Sequence, residues 1–252
     1  MRRFSVILFI SISFFACKKY EPTAQEYPFE LRLTDAAGPY DSVKVEITSI
    51  EFYDDQGACE WRNLSFRPAV YELTHLANGY DTFLAKGVST TGRISHLRIH
   101  FGENNLIGFK GKVLPLRLSP YFQKGLTLKL DKILPPGRKF TLTLDFDVAR
   151  SVYTPGNDQF VLRPVIRTFT SKSANIKGVV YPKAIRPAIY AISGRDTFSA
   201  LADTSGYFMI RGINYEGDCK LIIHSDAMPD KIIPYVNLNF GKTTDLKTIS
   251  LP

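Results

Sequence analysis

The chain has 252 residues, 44% hydrophobic and 22% charged, with 32 lysines and arginines against 24 acids and a formal charge of +8 at pH 7. This balance excludes wholesale disorder, a collagen-like repeat and a multi-span membrane protein, and the length allows one or two domains that each bury a working core. No run of five like charges occurs and the basic residues alternate with apolar ones, so the excess reads as a solvated β face and not as a nucleic-acid surface, which needs clustered charge.

The first element in chain order is a leader. Met1-Arg2-Arg3 is basic, Phe4 to Ala16 carries no charge, and Cys17-Lys18-Lys19 follows directly. The 13-residue uncharged run fits the ~7–15 residues of a signal-peptide core. It falls short of the ~20 needed to span ~30 Å of hydrocarbon. Phe14 would occupy the −3 position of an ordinary secretory cut, which wants a small side chain. Ala16 directly before a cysteine instead resembles the bacterial lipoprotein signal, which implies that Cys17 receives a diacylglyceryl thioether and becomes the first mature residue. Several acyl chains at ~0.8 kcal/mol per buried methylene would anchor such a protein stably. Lys18 and Lys19 would each add ~1 kcal/mol at an anionic surface. Residues 1–16 are thus expected to be the signal peptide and 17–27 a polar tether. The expected address is the bacterial cell envelope, as an outer membrane lipoprotein facing the periplasm or the cell surface.

Period-two patterns dominate after the tether. Phe29-Glu30-Leu31-Arg32-Leu33, Val43-Lys44-Val45-Glu46-Ile47 and Leu126-Thr127-Leu128-Lys129-Leu130 alternate apolar and polar residues. Leu142, Leu144, Phe146 and Val148 alternate with Thr141, Thr143, Asp145 and Asp147. Each predicts an antiparallel strand with one solvated face. Turn residues punctuate them at Ala37-Gly38-Pro39, Asn78-Gly79, Pro135-Pro136-Gly137 and Pro155-Gly156-Asn157. Only Tyr71 to Leu84 invites a helix, which Asn78-Gly79 keeps short. Thr168 to Ala174 is polar and aperiodic, and alternation restarts at Ile176. The expected fold is therefore all-β: two consecutive antiparallel β-sandwiches, over 28–170 and 171–252.

Reactive constellations are few. His96 and His100 are four apart, but Ser95, Leu97, Ile99 and Phe101 alternate around them, so the segment is a strand. Positions four apart on a strand are ~13 Å apart, too far for one zinc. Asp145 and Asp147 share a strand face ~6.6 Å apart at the backbone. That spacing suits a hard cation or an acid/base pair, against a solvated face or ion pairs with Arg150 or Arg163. They are the only metal or catalytic candidates, and no cofactor site is assigned. Gly241-Lys242-Thr243-Thr244 lacks the earlier glycine of a phosphate loop, because Val236 stands there. Asp54-Asp55-Gln56-Gly57 lacks calcium-loop spacing. Cys219 alternates inward with Leu221 and Ile223 and reads as a buried thiol, while a disulfide to Cys59 stays open.

Leu33-Thr34-Asp35-Ala36, Tyr40 to Ile50, Leu76-Ala77-Asn78-Gly79, Ile94 to Ile99, Leu144 to Ser151 and Leu162 to Ile166 occur in an order that resembles the domain of unknown function 4382 family. The resemblance implies a β-rich envelope lipoprotein with no activity attached, so no catalytic residue carries over. Gly178-Val179-Val180, Ala202 to Phe208, Gly212 and Leu246 to Leu251 resemble carboxypeptidase regulatory-like domains of transthyretin-like fold. Such domains act as spacers or docking modules. The expected protein is a non-enzymatic binding or structural module. Its partners would be the membrane, through the lipid, and a protein or glycan, with no nucleic acid. The alternatives are a glycan-acting envelope enzyme using Asp145 and Asp147, and a strand-pairing subunit of a surface assembly.

Overall fold

The computed structural model describes residues 25–36, 38–54, 59–156, 159–194 and 196–252. The leader, Cys17 and most of the tether lie outside the described residues. The first half runs through β1 (Tyr27–Ala36), β2 (Ser42–Tyr53), β3 (Trp61–Asn63), β4 (Ser65–Phe66), β5 (Ala69–Glu72), β6 (Thr82–Ser89) and β7 (Arg93–Phe101). It continues with β8 (Leu106–Phe109), β9 (Lys112–Leu118), β10 (Leu126–Ile133) and β11 (Phe140–Asp147). The one-turn helix α1 (Val148–Ser151), β12 (Val152–Gly156), β13 (Gln159–Leu162) and β14 (Ile166–Phe169) complete it. The second half comprises β15 (Ala174–Tyr181), β16 (Ala188–Ser193), β17 (Asp196–Leu201), β18 (Tyr207–Ile213), β19 (Gly217–Ser225), β20 (Met228–Leu238) and β21 (Thr243–Ser250).

A sheet ordered β14-β11-β1-β6-β4 faces a larger one ordered β10-β7-β2-β8-β9-β13-β12, with β3 and β5 also paired to β2. The alternating apolar residues meet between them. Phe29 of β1 packs edge-on against Phe52 of β2 at 5.3 Å, and Phe146 of β11 against Phe101 of β7 at 6.3 Å. In β2 the inward set changes from Val43, Val45 and Ile47 to Ile50 and Phe52, because a register shift between Ile47 and Ser49 flips the pleat by one residue. The Tyr71–Leu84 stretch holds the end of β5, a short 3-10 turn at Leu73–Leu76 and the start of β6, so the helix contracts to that turn.

The second half closes β18-β15-β21 over β17-β16-β19-β20. Its core gathers Ile176, Val180, Ile189, Phe208, Leu221 and Ile223, with Cys219 buried among them and Cys59 exposed on the first half. Most pairings are antiparallel, as alternation predicts, but β1 with β11, β9 with β13 and β15 with β21 are parallel. Parallel neighbours need a crossover connection, and each of these pairs is separated by other strands in the chain. Among the described residues no helix is long and apolar enough to cross a membrane.

The turn at Asp203–Gly206 joins β17 to β18, which lie in different sheets, so it arches over the core and does not close a hairpin. The Asp203 carboxylate accepts from the Ser205 and Tyr207 amides at 2.8 and 3.1 Å, and the Gly206 amide donates to the Asp203 carbonyl at 2.9 Å. Gly206 has φ of +80°, and a Cβ there would lie 2.3 Å from the Val180 carbonyl oxygen. Gly206→Ala is therefore expected to lower stability by about 1–3 kcal/mol, measured by urea denaturation. An unchanged midpoint would show that the arch tolerates a side chain.

Candidate functional site

The strand β11 places Leu142, Leu144 and Phe146 in the first core and turns Thr143, Asp145 and Asp147 to its other face. That face is covered, so the solvated polar face expected there is not observed. Asp145 is 4% exposed and Asp147 2%. The covering is the second half, whose β18 and β17 residues Met209, Arg211 and Ser199 line a small cavity together with Asp35, Asp145 and Arg167. Asp145 therefore belongs to a seam between two sandwiches, and Asp147 is buried beside it, where Arg150 reaches the Thr197 carbonyl of β17 at 3.5 Å.

Each has its own partner. Asp145 lies directly opposite Arg167 on antiparallel β14, and their side chains form an ion pair. Asp147 caps α1 by accepting from the Arg150 amide at 3.0 Å, with the Arg150 guanidinium 3.6 Å from its other oxygen. Arg163, the other expected partner, instead stacks over Tyr153 at 3.9 Å. On β7, the His100 ring sits 2.9 Å from Glu51, and the His96 ring lies edge-on to Tyr53 at 6.1 Å. Asp54 is buried and accepts from the Thr91 hydroxyl, while residues 55–57 of that acidic turn lie outside the described residues.

The seam is locked by residues that spacing alone did not single out. Asp81 pairs with Arg32 of β1 through one oxygen and with Arg211 of β18 at 2.8 Å through the other. Arg211 also donates to the Gly79 carbonyl at 3.2 Å and stacks over Phe169 at 5.2 Å. The Asn78 amide completes the joint: its Oδ1 accepts from the Met209 amide and its Nδ2 donates to the Leu201 carbonyl, both at 3.2 Å. Asn78 and Gly79 both take positive φ, and a Cβ on Gly79 would sit 2.7 Å from the Met209 sulfur. An Asn-Gly pair is thus needed for the corner to reach β18. Asn78-Gly79 was visible in the sequence as a turn. Its docking role was not.

Burial works to raise the Asp81 carboxyl, but hydrogen bonds from Arg211 and then Arg32 outweigh it and hold the pKa below the usual carboxylate value. At Asp145 burial prevails over the Arg167 charge and the pKa rises. Asp35 is pushed well up, by burial first and by Asp145 next, against one hydrogen bond from the Val148 amide at 3.3 Å. Its Oδ2 is buried and has no hydrogen-bond partner among the described residues. The cavity among these groups measures about 10 Å³, room for a water molecule but not for a sugar ring. The arrangement can join two bodies. It gives a large substrate no approach to the Asp145 and Asp147 carboxylates.

Opposite pH dependences follow. The stability that Asp81 adds is present above the ordinary carboxylate pKa and is lost as pH falls through its depressed value. Asp81→Asn should therefore cost about 1.5–3 kcal/mol at neutral pH, with the deficit in melting midpoint shrinking in acid. A deficit that does not shrink would show that the charge is immaterial. The stability associated with protonated Asp35 is complete below the ordinary carboxylate pKa and declines as pH rises toward its raised value. Asp35→Asn should consequently melt higher than the wild type, with an advantage that grows from acid to neutral pH. A lower midpoint across that range would refute this assignment.

No curated protein matches the chain. Among solved structures, a leucine-rich repeat protein from Bacteroides thetaiotaomicron VPI-5482 is 10% identical with a TM-score of 0.18, the alignment covering 90% of this chain and 26% of that one. A C-terminal fragment of the pilus adhesin SpaC from Lactobacillus rhamnosus GG is 10% identical with a TM-score of 0.22, covering 90% of this chain and 98% of that one. Overlaps this slight carry no argument. The family described as a domain of unknown function, DUF4382, matches residues 28–164, which take in the strands of the first sandwich up to β13 and the aspartates of the seam, and the chain belongs to that family.

Proposed function

We propose that this protein is a lipid-anchored component of the bacterial cell envelope, a non-enzymatic binding or structural module held at the outer membrane and facing the periplasm or the cell surface. The observation that carries the reading is the uncharged stretch Phe4 to Ala16 ending on Cys17, with lysines following at once. Acylation of that sulfur would tie the first sandwich to the bilayer through a tether of about ten residues, reaching at most ~35 Å. The buried state of the pair supports the non-enzymatic part: Asp145 and Asp147, the pair with catalytic spacing, are occupied by Arg167 and Arg150 and closed to solvent. A glycan-acting enzyme would need those carboxylates open to its substrate.

Residues 171–252 fit a carboxypeptidase regulatory-like domain of transthyretin-like fold. Its three-plus-four strand arrangement, Gly178-Val179-Val180 on β15 and the Asp203–Gly206 arch support that reading. Rigid β units hold their surface loops in place, which suits capture of a protein or glycan partner. Nucleic acid is not among the partners proposed.

Cys17→Ala should abolish incorporation of radiolabelled fatty acid and move the protein from the detergent phase to the aqueous phase. Undiminished labelling of that variant would end the lipoprotein reading.

A further inference from the structure

A cleft of about 390 Å³ opens at the far end of the seam, with walls from both sandwiches. Its floor is the outer face of the four-stranded sheet. Tyr190 of β16 lies directly opposite Ser199 of β17, and in the next row Ala188 lies between Leu201 of β17 and His224 of β19. Pro39 and Ala149 of the first half form one wall. Arg186 forms part of the other, where it ends a short 3-10 turn in the left-handed region at φ of +48°.

The chemistry of the cleft narrows its occupant. Its volume falls in the ~300–1,000 Å³ range of small-ligand sites. The floor offers an aromatic ring among small apolar side chains, and among the described residues nothing hydrogen-bonds the Tyr190 or Ser199 hydroxyl. Charges at the rim cancel: Arg186 and His224 stand with Asp226 and with Asp230, whose carboxylate is 2.7 Å from the His224 ring. An anion is therefore not favoured, and neither is a cation. β16 is hydrogen-bonded on both sides, so the floor beneath the ring presents side chains, with the edge strand β17 beside it. What fits is a ligand with a flat apolar face for the ring and many hydroxyls for mixed donors and acceptors.

We infer that this cleft is a binding site for a neutral sugar, one or two pyranose rings long, with Tyr190 as the stacking surface and Arg186, Ser199 and Asp226 reading hydroxyls. The inference rests on the reading of the protein as a binding module and assigns that module a site. No covalent chemistry is involved.

The test is calorimetric titration of the full-length, detergent-solubilised protein. The probes are methyl glycosides and disaccharides of glucose, galactose, mannose and N-acetylglucosamine, with glucuronic acid as an anionic control. Saturable binding of at least one neutral probe is expected. Tyr190→Ala and Arg186→Ala should each weaken it at least about tenfold, which corresponds to ~1.4 kcal/mol, with melting midpoints near the wild-type value. Ser199→Ala, a smaller change, guards against variants that fail to fold and should weaken binding in the same direction. Absence of binding by every neutral probe overturns the site, as does binding unaffected by these substitutions or a preference for glucuronic acid. Partitioning through Cys17 does not involve Tyr190, so a negative titration with intact detergent-phase recovery rejects the cleft while leaving the anchored module in place.

Discussion

One carboxylate joins the two halves of this molecule. Asp81 directly precedes β6, takes Arg32 from the neighbouring strand β1 and takes Arg211 from β18 of the second sandwich. A partly buried ion triad of this kind contributes little net stability over an apolar joint, since desolvation consumes much of its attraction. It does penalise misplacement. Moving β18 away would strand partly buried charged groups from their partners, so the triad favours one mutual arrangement of the two bodies. The Asn78-Gly79 corner adds direction, because its amide bonds main-chain groups of β17 and β18 whose positions are fixed by the second core.

The character of the seam follows from that constraint. A strand such as β11 normally turns its threonines and aspartates to water. Here a second body covers them, so each carboxylate must find a cation or keep its proton. Asp145 finds Arg167 across the ladder, Asp147 finds the amide and guanidinium of Arg150, and Asp35 is left with one amide and a raised pKa. The carboxylates with the spacing of a catalytic pair are consequently part of the joint. Beyond the joint, where the surfaces diverge past Ala149 and Ala188, the junction opens into a space of ligand size. That space is a product of the arrangement, since each sandwich supplies some of its walls.

On the proposed reading, a tethered protein with a stiff waist would have a simple physical advantage as a display. The tether would limit its distance from the bilayer, the seam would restrain flexing between the sandwiches, and the cleft would keep its geometry as the molecule diffuses in the plane of the membrane. Pre-organisation of that kind lowers the conformational entropy lost on capture of a ligand.

The sequence by itself determined where the strands are. Alternation in Phe29 to Leu33, Val43 to Ile47 and Leu142 to Asp147 is a local signal, set by the pleat that sends successive side chains to opposite faces, and it reappears as β1, β2 and β11, whereas Val148, which continues the pattern, opens α1. It also marked turn residues, the inward-facing Cys219 and the family resemblance carried by short ordered motifs, while Thr168 and Phe169, read as aperiodic, lie in β14 and Ala174 opens β15. Tertiary structure alone decided what lies over each face. Thr143, Asp145 and Asp147 would be written the same way on a solvated strand as on one pressed against another body, because a polar residue is compatible with water or with an arginine. Likewise, nothing local tells β1 to run parallel to β11, more than a hundred positions away, or tells Asn78 to meet Met209. Those choices come from packing energies summed over both cores, which no window of neighbouring residues contains.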